Sequence, residues 1–154
     1  MKRILLTGMS GTGKSAVVGA LVSRGFKAID TDFGWCEEAE DGEWIWSEPK
    51  IQQSLSTEDS EVFFIAGCAS NQVKFYDQFD LVILLSAPAE VMVERIRDRT
   101  GNPFGKSPEE LAQVISDLKN IEPLRRRGAG TEIETNRSLD EVLDDVVRIS
   151  DTAN

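Results

Sequence analysis

Histidine is missing from all 154 positions of this chain. Its absence removes every mechanism that turns on imidazole, including the usual serine and cysteine triads and histidine-bound zinc. Cysteine is scarce too: Cys36 and Cys68 stand without metal-ligand spacing and are expected to be reduced thiols. No apolar run approaches the ~20 residues that cross a bilayer. Met1-Lys2-Arg3 leads directly into a short strand-like run rather than a secretory leader, so the chain is expected in the cytoplasm and away from membranes. Positive charge is also short. The formal net charge is −10, which makes the surface repel phosphate backbones and excludes nucleic acid as an expected partner. Any phosphate this chain holds must be met by a local cluster of cations.

What is present starts at Gly8. Residues Gly8 to Ser15 read Gly-Met-Ser-Gly-Thr-Gly-Lys-Ser, the pattern of Gly, four residues, then Gly-Lys-Ser/Thr that cradles phosphate. An apolar run (Ile4, Leu5, Leu6) fit for a buried parallel strand precedes it, and a helical pattern from Ser15 to Arg24 follows. In this setting Gly8, Gly11, Thr12 and Gly13 let backbone N–H groups curl around phosphate oxygens while the new helix turns its positive end to them. Lys14 reaches the β- and γ-phosphates, and the Ser15 hydroxyl is a ligand for Mg²⁺. A nucleoside triphosphate, ATP, is the expected cofactor.

Strands alternate with helices along the rest of the chain, which predicts an α/β fold with helices on both faces of a parallel sheet. The predicted strands are Arg3 to Thr7, Phe26 to Asp30, Glu61 to Ala66, Asp80 to Ser86 and Thr131 to Thr135. Ser107-Pro108-Glu109-Glu110 and Ser138-Leu139-Asp140-Glu141 fit capping boxes that open helices over Pro108 to Ile121 and Leu139 to Ser150. Ala87 to Arg97 reads as a further helix. Length alone predicts one domain over residues 1–154.

The phosphate loop does not by itself separate motors, GTPases and kinases, but the chain lacks the Asn-Lys-x-Asp and Asp-x-x-Gly segments of a GTPase. From Lys2 to about Ser150 it resembles the small nucleotide-kinase-like phosphotransferases, most closely the shikimate-kinase-like branch. That resemblance implies a three-layer P-loop NTPase fold with a five-stranded parallel sheet in the order 2-3-1-4-5. It also implies a lid over about residues 100–122 and an acceptor-binding segment over about 32–56. Such a protein is expected to act on a small-molecule hydroxyl, as a monomer or small homo-oligomer.

Four segments carry the resemblance. Asp30-Thr31-Asp32 is similar to the Asp-Thr-Asp that ends the second strand in shikimate kinases, which implies Asp30 as a metal partner and Asp32 as the acceptor's partner and base. A carboxylate at the carboxyl end of a parallel strand does face the ligand crevice. Arg95 and Arg99 match the Arg-x-x-x-Arg that leads into the lid, implying one guanidinium on adenine and the other on the phosphates; the spacing sets both on one helix face. Thr135-Asn136-Arg137 resembles the adenine loop, implying Asn136 and Arg137 at the base. Gly67-Cys68-Ala69 lies where the family carries three glycines against the acceptor, which implies Gly67 and Cys68 in its floor.

The chain departs from the family where an acceptor carboxylate would be gripped. Between Lys27 and Lys74 the only basic residue is Lys50, and Ile121 stands where an arginine is expected. The same stretch holds Phe33, Trp35, Trp44 and Trp46 among acids. Two readings of these tryptophans stand: an aromatic acceptor site for an uncharged or cationic molecule, or a flap packed onto the core. The expected activity is transfer of the γ-phosphate of ATP to a nucleoside, sugar or antibiotic hydroxyl, with Lys14, Asp32 and Arg99 catalytic. A non-catalytic ATP-binding module and shikimate kinase proper are the alternatives. One of Arg125, Arg126 and Arg127 is expected to reach the phosphates, or the run caps a helix dipole.

Overall fold

The computed structural model describes residues 1–153. Its elements run β1 (Lys2–Thr7), α1 (Lys14–Ser23), β2 (Lys27–Asp30), β3 (Cys36–Glu38), β4 (Trp44–Trp46), α2 (Glu48–Ser56), β5 (Val62–Ala66), a 3-10 stretch (Ser70–Gln78), β6 (Leu81–Ser86), α3 (Ala89–Asp98), α4 (Pro108–Asn120), α5 (Glu122–Gly128), β7 (Thr131–Glu134) and α6 (Leu139–Thr152). Five strands form a sheet in the order β2-β5-β1-β6-β7, every neighbour pair parallel. With the hairpin strands β3 and β4 set aside, this is the expected order 2-3-1-4-5.

β1 lies at the centre, with Leu5 beside Ile65 of β5 and Val82 of β6. The central strands read as continuous apolar runs because helices cover both faces. Period-two alternation sorts their side chains into two cores. Ile4, Leu6, Phe64 and Ile83 pack with Val17 and Leu21 of α1 and Val142 and Val146 of α6. Leu5, Phe63, Ile65 and Val82 pack on the other side with Trp46, Ile51, Leu55 and Phe75. A third cluster, Met9, Ala87, Met92, Ile96 and Val114, lies where the phosphate loop, α3 and α4 meet.

Helix starts follow the side chains that stop them. Ser107 and Ser138 cap α4 and α6 by accepting the N–H of Glu110 and Glu141 at 3.2 Å each. The returning arms of the expected capping boxes go elsewhere: Glu110 accepts the N–H of Gly105, and Glu141 accepts the Ser138 hydroxyl. Pro123 opens a separate short helix, α5, so the segment after Asn120 turns instead of continuing. The β3–β4 hairpin has no counterpart among the predicted strands. Its two three-residue strands are too short for alternation to register, and Asp41-Gly42 is the turn that joins them.

Candidate nucleotide and acceptor site

Residues Gly8 to Ser15 connect β1 to α1, as their spacing requires. Gly11 has φ +86°, and a Cβ there would lie 2.8 Å from the Met92 carbonyl oxygen, so both conformation and space demand glycine. Thr12 is fully buried and ties the loop by donating its hydroxyl to the Met9 carbonyl at 2.8 Å. No side chain caps α1, which leaves the N–H groups of its first turn pointing out of the loop. Lys14 Nζ donates to the carbonyls of Gly8 at 2.6 Å and Met9 at 3.0 Å, holding the ammonium over the loop.

The carboxylates arrive from the end of β2. Asp30, its last residue, accepts the Ser15 hydroxyl on Oδ2 and the Asp32 N–H on Oδ1. A hydroxyl and a carboxylate side by side are hard oxygen donors of the kind that hold Mg²⁺ when phosphates supply further ligands. Among the described residues no group of three His, Cys, Asp or Glu side chains stands ready as a metal cage. Asp32 opens onto the cavity beside this pair. Protein atoms packed around its carboxyl push its pKa above the ordinary value, and the Asp30 charge adds to that, while Lys14 and Arg99 oppose it. Burial pulls the Arg99 guanidinium the other way, below its ordinary value, against the nearby Asp32 charge.

α3 delivers both arginines. Arg95 donates Nη1 to the Gly11 carbonyl at 3.2 Å and to the Thr135 hydroxyl at 2.9 Å, and Nη2 to the Thr135 carbonyl at 2.7 Å. Arg99 donates Nε to the Asn102 carbonyl and Nη2 to that of Phe104, fixing the first turn of the segment beyond α3. Opposite, Arg137 pairs with Asp145 at 2.8 Å. Together these side chains surround one cavity of about 470 Å³ whose walls include Lys14, Ser15, Asp32, Arg95, Arg99 and Arg137.

Several expected residues are elsewhere. Trp46 is fully buried in the core, its indole N–H donating to Thr31 Oγ1 at 3.0 Å; it is not an acceptor-site residue. Trp44 stands 62% exposed at the free part of the hairpin, and Trp35 packs half-buried on the second core. Trp44 and Trp46 share one face of β4, but only the root of the hairpin rests on the body, so one ring is covered and the other is not. Gly67 is not in the wall of this cavity, and packing alone accounts for its being glycine. A Cβ there would meet Thr31 Oγ1 at 1.9 Å, so the missing side chain makes room for the Thr31–Trp46 pair. Cys68 packs beside the third cluster, and exposed Asn136 is outside the cavity wall. Arg125 is buried with Nη2 on the Ala69 carbonyl, and Arg126 is held by Glu122 and Glu132, so neither faces the cavity.

The cavity wall also holds Ala16, Val17, Asn102, Leu139 and Val142, to which the sequence assigns no site role, and Phe33, 58% exposed, and Thr135, which it places only as members of the acceptor stretch and the adenine loop. Phe33 directly follows Asp32, so the end of β2 carries both to the cavity. Leu139 and Val142 fell on the apolar stripe of α6, which periodicity assigns wholly to the core.

Comparison with known proteins agrees with this geometry. The family described as "AAA domain" matches residues 4–116. A curated protein of Archaeoglobus fulgidus named "Putative adenylate kinase" is 30% identical over 152 residues, covering 95% of this chain and 80% of its own length. Among solved structures, shikimate kinase from Acinetobacter baumannii in complex with shikimate superimposes with a TM-score of 0.70 at 20% identity, over 97% of this chain and 92% of that one. Shikimate kinase from Bacteroides thetaiotaomicron gives 0.72 at 19% identity, over 97% and 98%. A gluconokinase from Sinorhizobium meliloti gives 0.53 at 17%, over 97% and 94%. With its phosphate loop, its parallel sheet and a family match over well above half its length, this chain belongs to the AAA domain family and has the P-loop fold of small kinases.

Proposed function

We propose that this chain is a nucleotide-dependent kinase that transfers the γ-phosphate of ATP to a hydroxyl of a small, non-carboxylate acceptor such as a nucleoside, a sugar or an antibiotic. One observation carries the reading: Asp32 lines the same cavity as Lys14 and Arg99. Asp32 is a second carboxylate beyond the metal partner Asp30, and one open to the cavity beside Lys14 and Arg99 suits an acceptor hydroxyl.

In this reading the triphosphate lies along the loop and the first turn of α1, with Lys14 Nζ at the β- and γ-oxygens. Ser15 and Asp30 would hold Mg²⁺, which supplies counter-charge to the phosphates when bound. Arg95 and Arg137 line the base end together with Leu139 and Val142. Asp32 accepts the hydrogen bond of the acceptor hydroxyl and aims its oxygen at the γ-phosphorus. As that O–P bond forms, the bond from the γ-phosphorus to the β-bridging oxygen breaks, ADP leaves with the electron pair, and the hydroxyl proton ends on Asp32 Oδ. Arg99 neutralises charge on the group in flight, which is most of what phosphoryl transfer asks of a protein. Phe33 offers the acceptor a flat apolar face.

The acceptor is read as uncharged or cationic because the segment from β2 to β5 supplies a single cation, Lys50, whose Nζ is taken by the Gly34 carbonyl at 2.9 Å. One observation favours a carboxylate-bearing acceptor instead: Arg125 of α5 is buried against Ala69, and its Nε has no partner among the described residues. An ADP-release panel of nucleosides, sugars, aminoglycosides, AMP and shikimate tests both readings. Turnover of an uncharged or cationic alcohol that is lost in Asp32→Asn supports the first. Turnover of shikimate alone, lost in Arg125→Met, supports the second. Binding of ATP without acceptor-dependent turnover across the panel overturns the kinase reading.

A further inference from the structure

Three parts of the site converge on Thr135. It follows β7 directly and is 4% exposed. Its N–H donates to the Ser86 carbonyl at 2.7 Å, which pins the residue to the end of β6. Its hydroxyl lies 2.7 Å from the Thr12 carbonyl of the phosphate loop and 3.1 Å from that of Ser86, and accepts from Arg95 Nη1 at 2.9 Å. Its own carbonyl accepts from Arg95 Nη2 at 2.7 Å. A hydroxyl has one proton to give and two lone pairs to receive with. The Thr12 carbonyl, being nearer, takes the proton, and Arg95 takes a lone pair.

The consequence for Arg95 is specific. Both of its terminal nitrogens are committed to Thr135, with the Gly11 carbonyl as a further acceptor for Nη1 at 3.2 Å. No carboxylate pairs with this guanidinium among the described residues. A planar cation on a long flexible stem is thus fixed in orientation by neutral oxygens at the cavity wall, its charge uncompensated and its plane set. Holding such a side chain in one rotamer is otherwise entropically unfavourable.

We propose that Thr135 is a positioning residue that sets the plane of Arg95 for the nucleoside part of the nucleotide and locks that orientation to the phosphate loop, so the chain distinguishes a nucleoside triphosphate from a bare polyphosphate. The proposal deepens the nucleotide-site reading given above and rests on it. Thr135 acts through Arg95 and touches no reacting atom.

The test compares binding of Mg-ATP and Mg-tripolyphosphate by titration calorimetry in the native chain and in Thr135→Val, Thr135→Ser, Arg95→Met and the Thr135→Val/Arg95→Met double variant. Removing a hydrogen bond to a charged group is expected to weaken ATP about tenfold or more in Thr135→Val. Tripolyphosphate should change by less than about twofold, because the loop amides and Lys14 remain. Thr135→Ser should bind ATP like the native chain. In the Arg95→Met background the Thr135 change should add almost nothing, since both act through one guanidinium. Equal loss of both ligands in Thr135→Val would make Thr135 a plain prop of the loop and overturn the proposal, as would full additivity in the double variant or unchanged ATP affinity. If Thr135→Val does not fold, Thr135→Ala takes its place: loss of ATP with tripolyphosphate kept supports the proposal, and parallel loss of both ligands overturns it. A native chain that binds neither ligand refutes the nucleotide site itself, an outcome separate from a native chain that binds both and a variant that discriminates no less.

Discussion

Replacing Gly67 by alanine separates a packing role from an acceptor-binding role in one measurement. The added Cβ would lie 1.9 Å from Thr31 Oγ1, 3.1 Å from Trp46 Nε1 and 3.2 Å from Thr31 Cβ. The first distance cannot stand, and the Thr31 hydroxyl cannot swing away freely. It donates to the Ala66 carbonyl at 2.9 Å and accepts the Trp46 indole N–H at 3.0 Å, all within the interior. Overpacking a core typically costs about 1–3 kcal/mol. Losing or bending two buried hydrogen bonds adds about 1 kcal/mol each. The sum is about 3–5 kcal/mol, and at roughly 2–4 °C per kcal/mol for a chain of this size Tm should fall by about 6–20 °C. Thermal and urea melts followed by circular dichroism measure it. Thr31→Ala should cost less stability in the Gly67→Ala background than in the native chain, because the clashing atom is then gone. The reasoning is refuted if Gly67→Ala melts within about 2 °C of the native chain. An altered acceptor KM at unchanged Tm would restore Gly67 to the acceptor floor.

The tryptophans offer a paired check: Trp46→Ala should destabilise by about 3–5 kcal/mol and Trp44→Ala by less than about 0.5, as urea midpoints report. Asp32→Asn should leave ATP affinity nearly unchanged and abolish acceptor-dependent ADP release. Asp32 must be ionised to accept the hydroxyl proton, and its pKa is raised, so kcat/KM should fall on the acid side at a pH above that of an ordinary carboxylate; a flat profile down to that range would exclude Asp32 as the base. The Cys36 thiol, pushed up to about 11 by burial first and then by the Asp32 and Asp30 charges, should be alkylated by iodoacetamide at pH 8 about two orders of magnitude more slowly than an ordinary thiol, with mass spectrometry as readout.

The parallel sheet and the phosphate loop were legible because each rests on local chemistry. Ile4-Leu5-Leu6 before the loop and Leu81 to Ser86 later can only be buried strands, and Gly8 to Ser15 admits one backbone course. Asp30, Asp32, Arg95, Arg99 and Arg137 meet around the loop because strand ends and helix spacing brought them there. The tryptophans were not legible. Nothing in Trp44-Ile45-Trp46 distinguishes its two rings, and which one is covered depends on how far a hairpin overhangs the body. Gly67 illustrates the same limit: its neighbour in space, Thr31, is 36 residues away in sequence, and only the β2–β5 pairing brings the two together. Val142 sits in the core as its period implies and also borders the cavity, whereas Leu139, 42% exposed, lies where the first turn of α6 runs past the core.

Two separate apolar layers back the two ends of the crevice. α1 and α6 support the wall holding Leu139 and Val142, while Trp46 and α2 lie on the opposite side of the sheet, behind Thr31. In the proposed kinase reading, nucleotide and acceptor would thus be backed by different halves of the interior, joined through the central strands. On that reading, the interior around Trp46, which holds Thr31 beside Asp32, is the half where repacking would alter the acceptor side while the phosphate loop and α1 stay as they are.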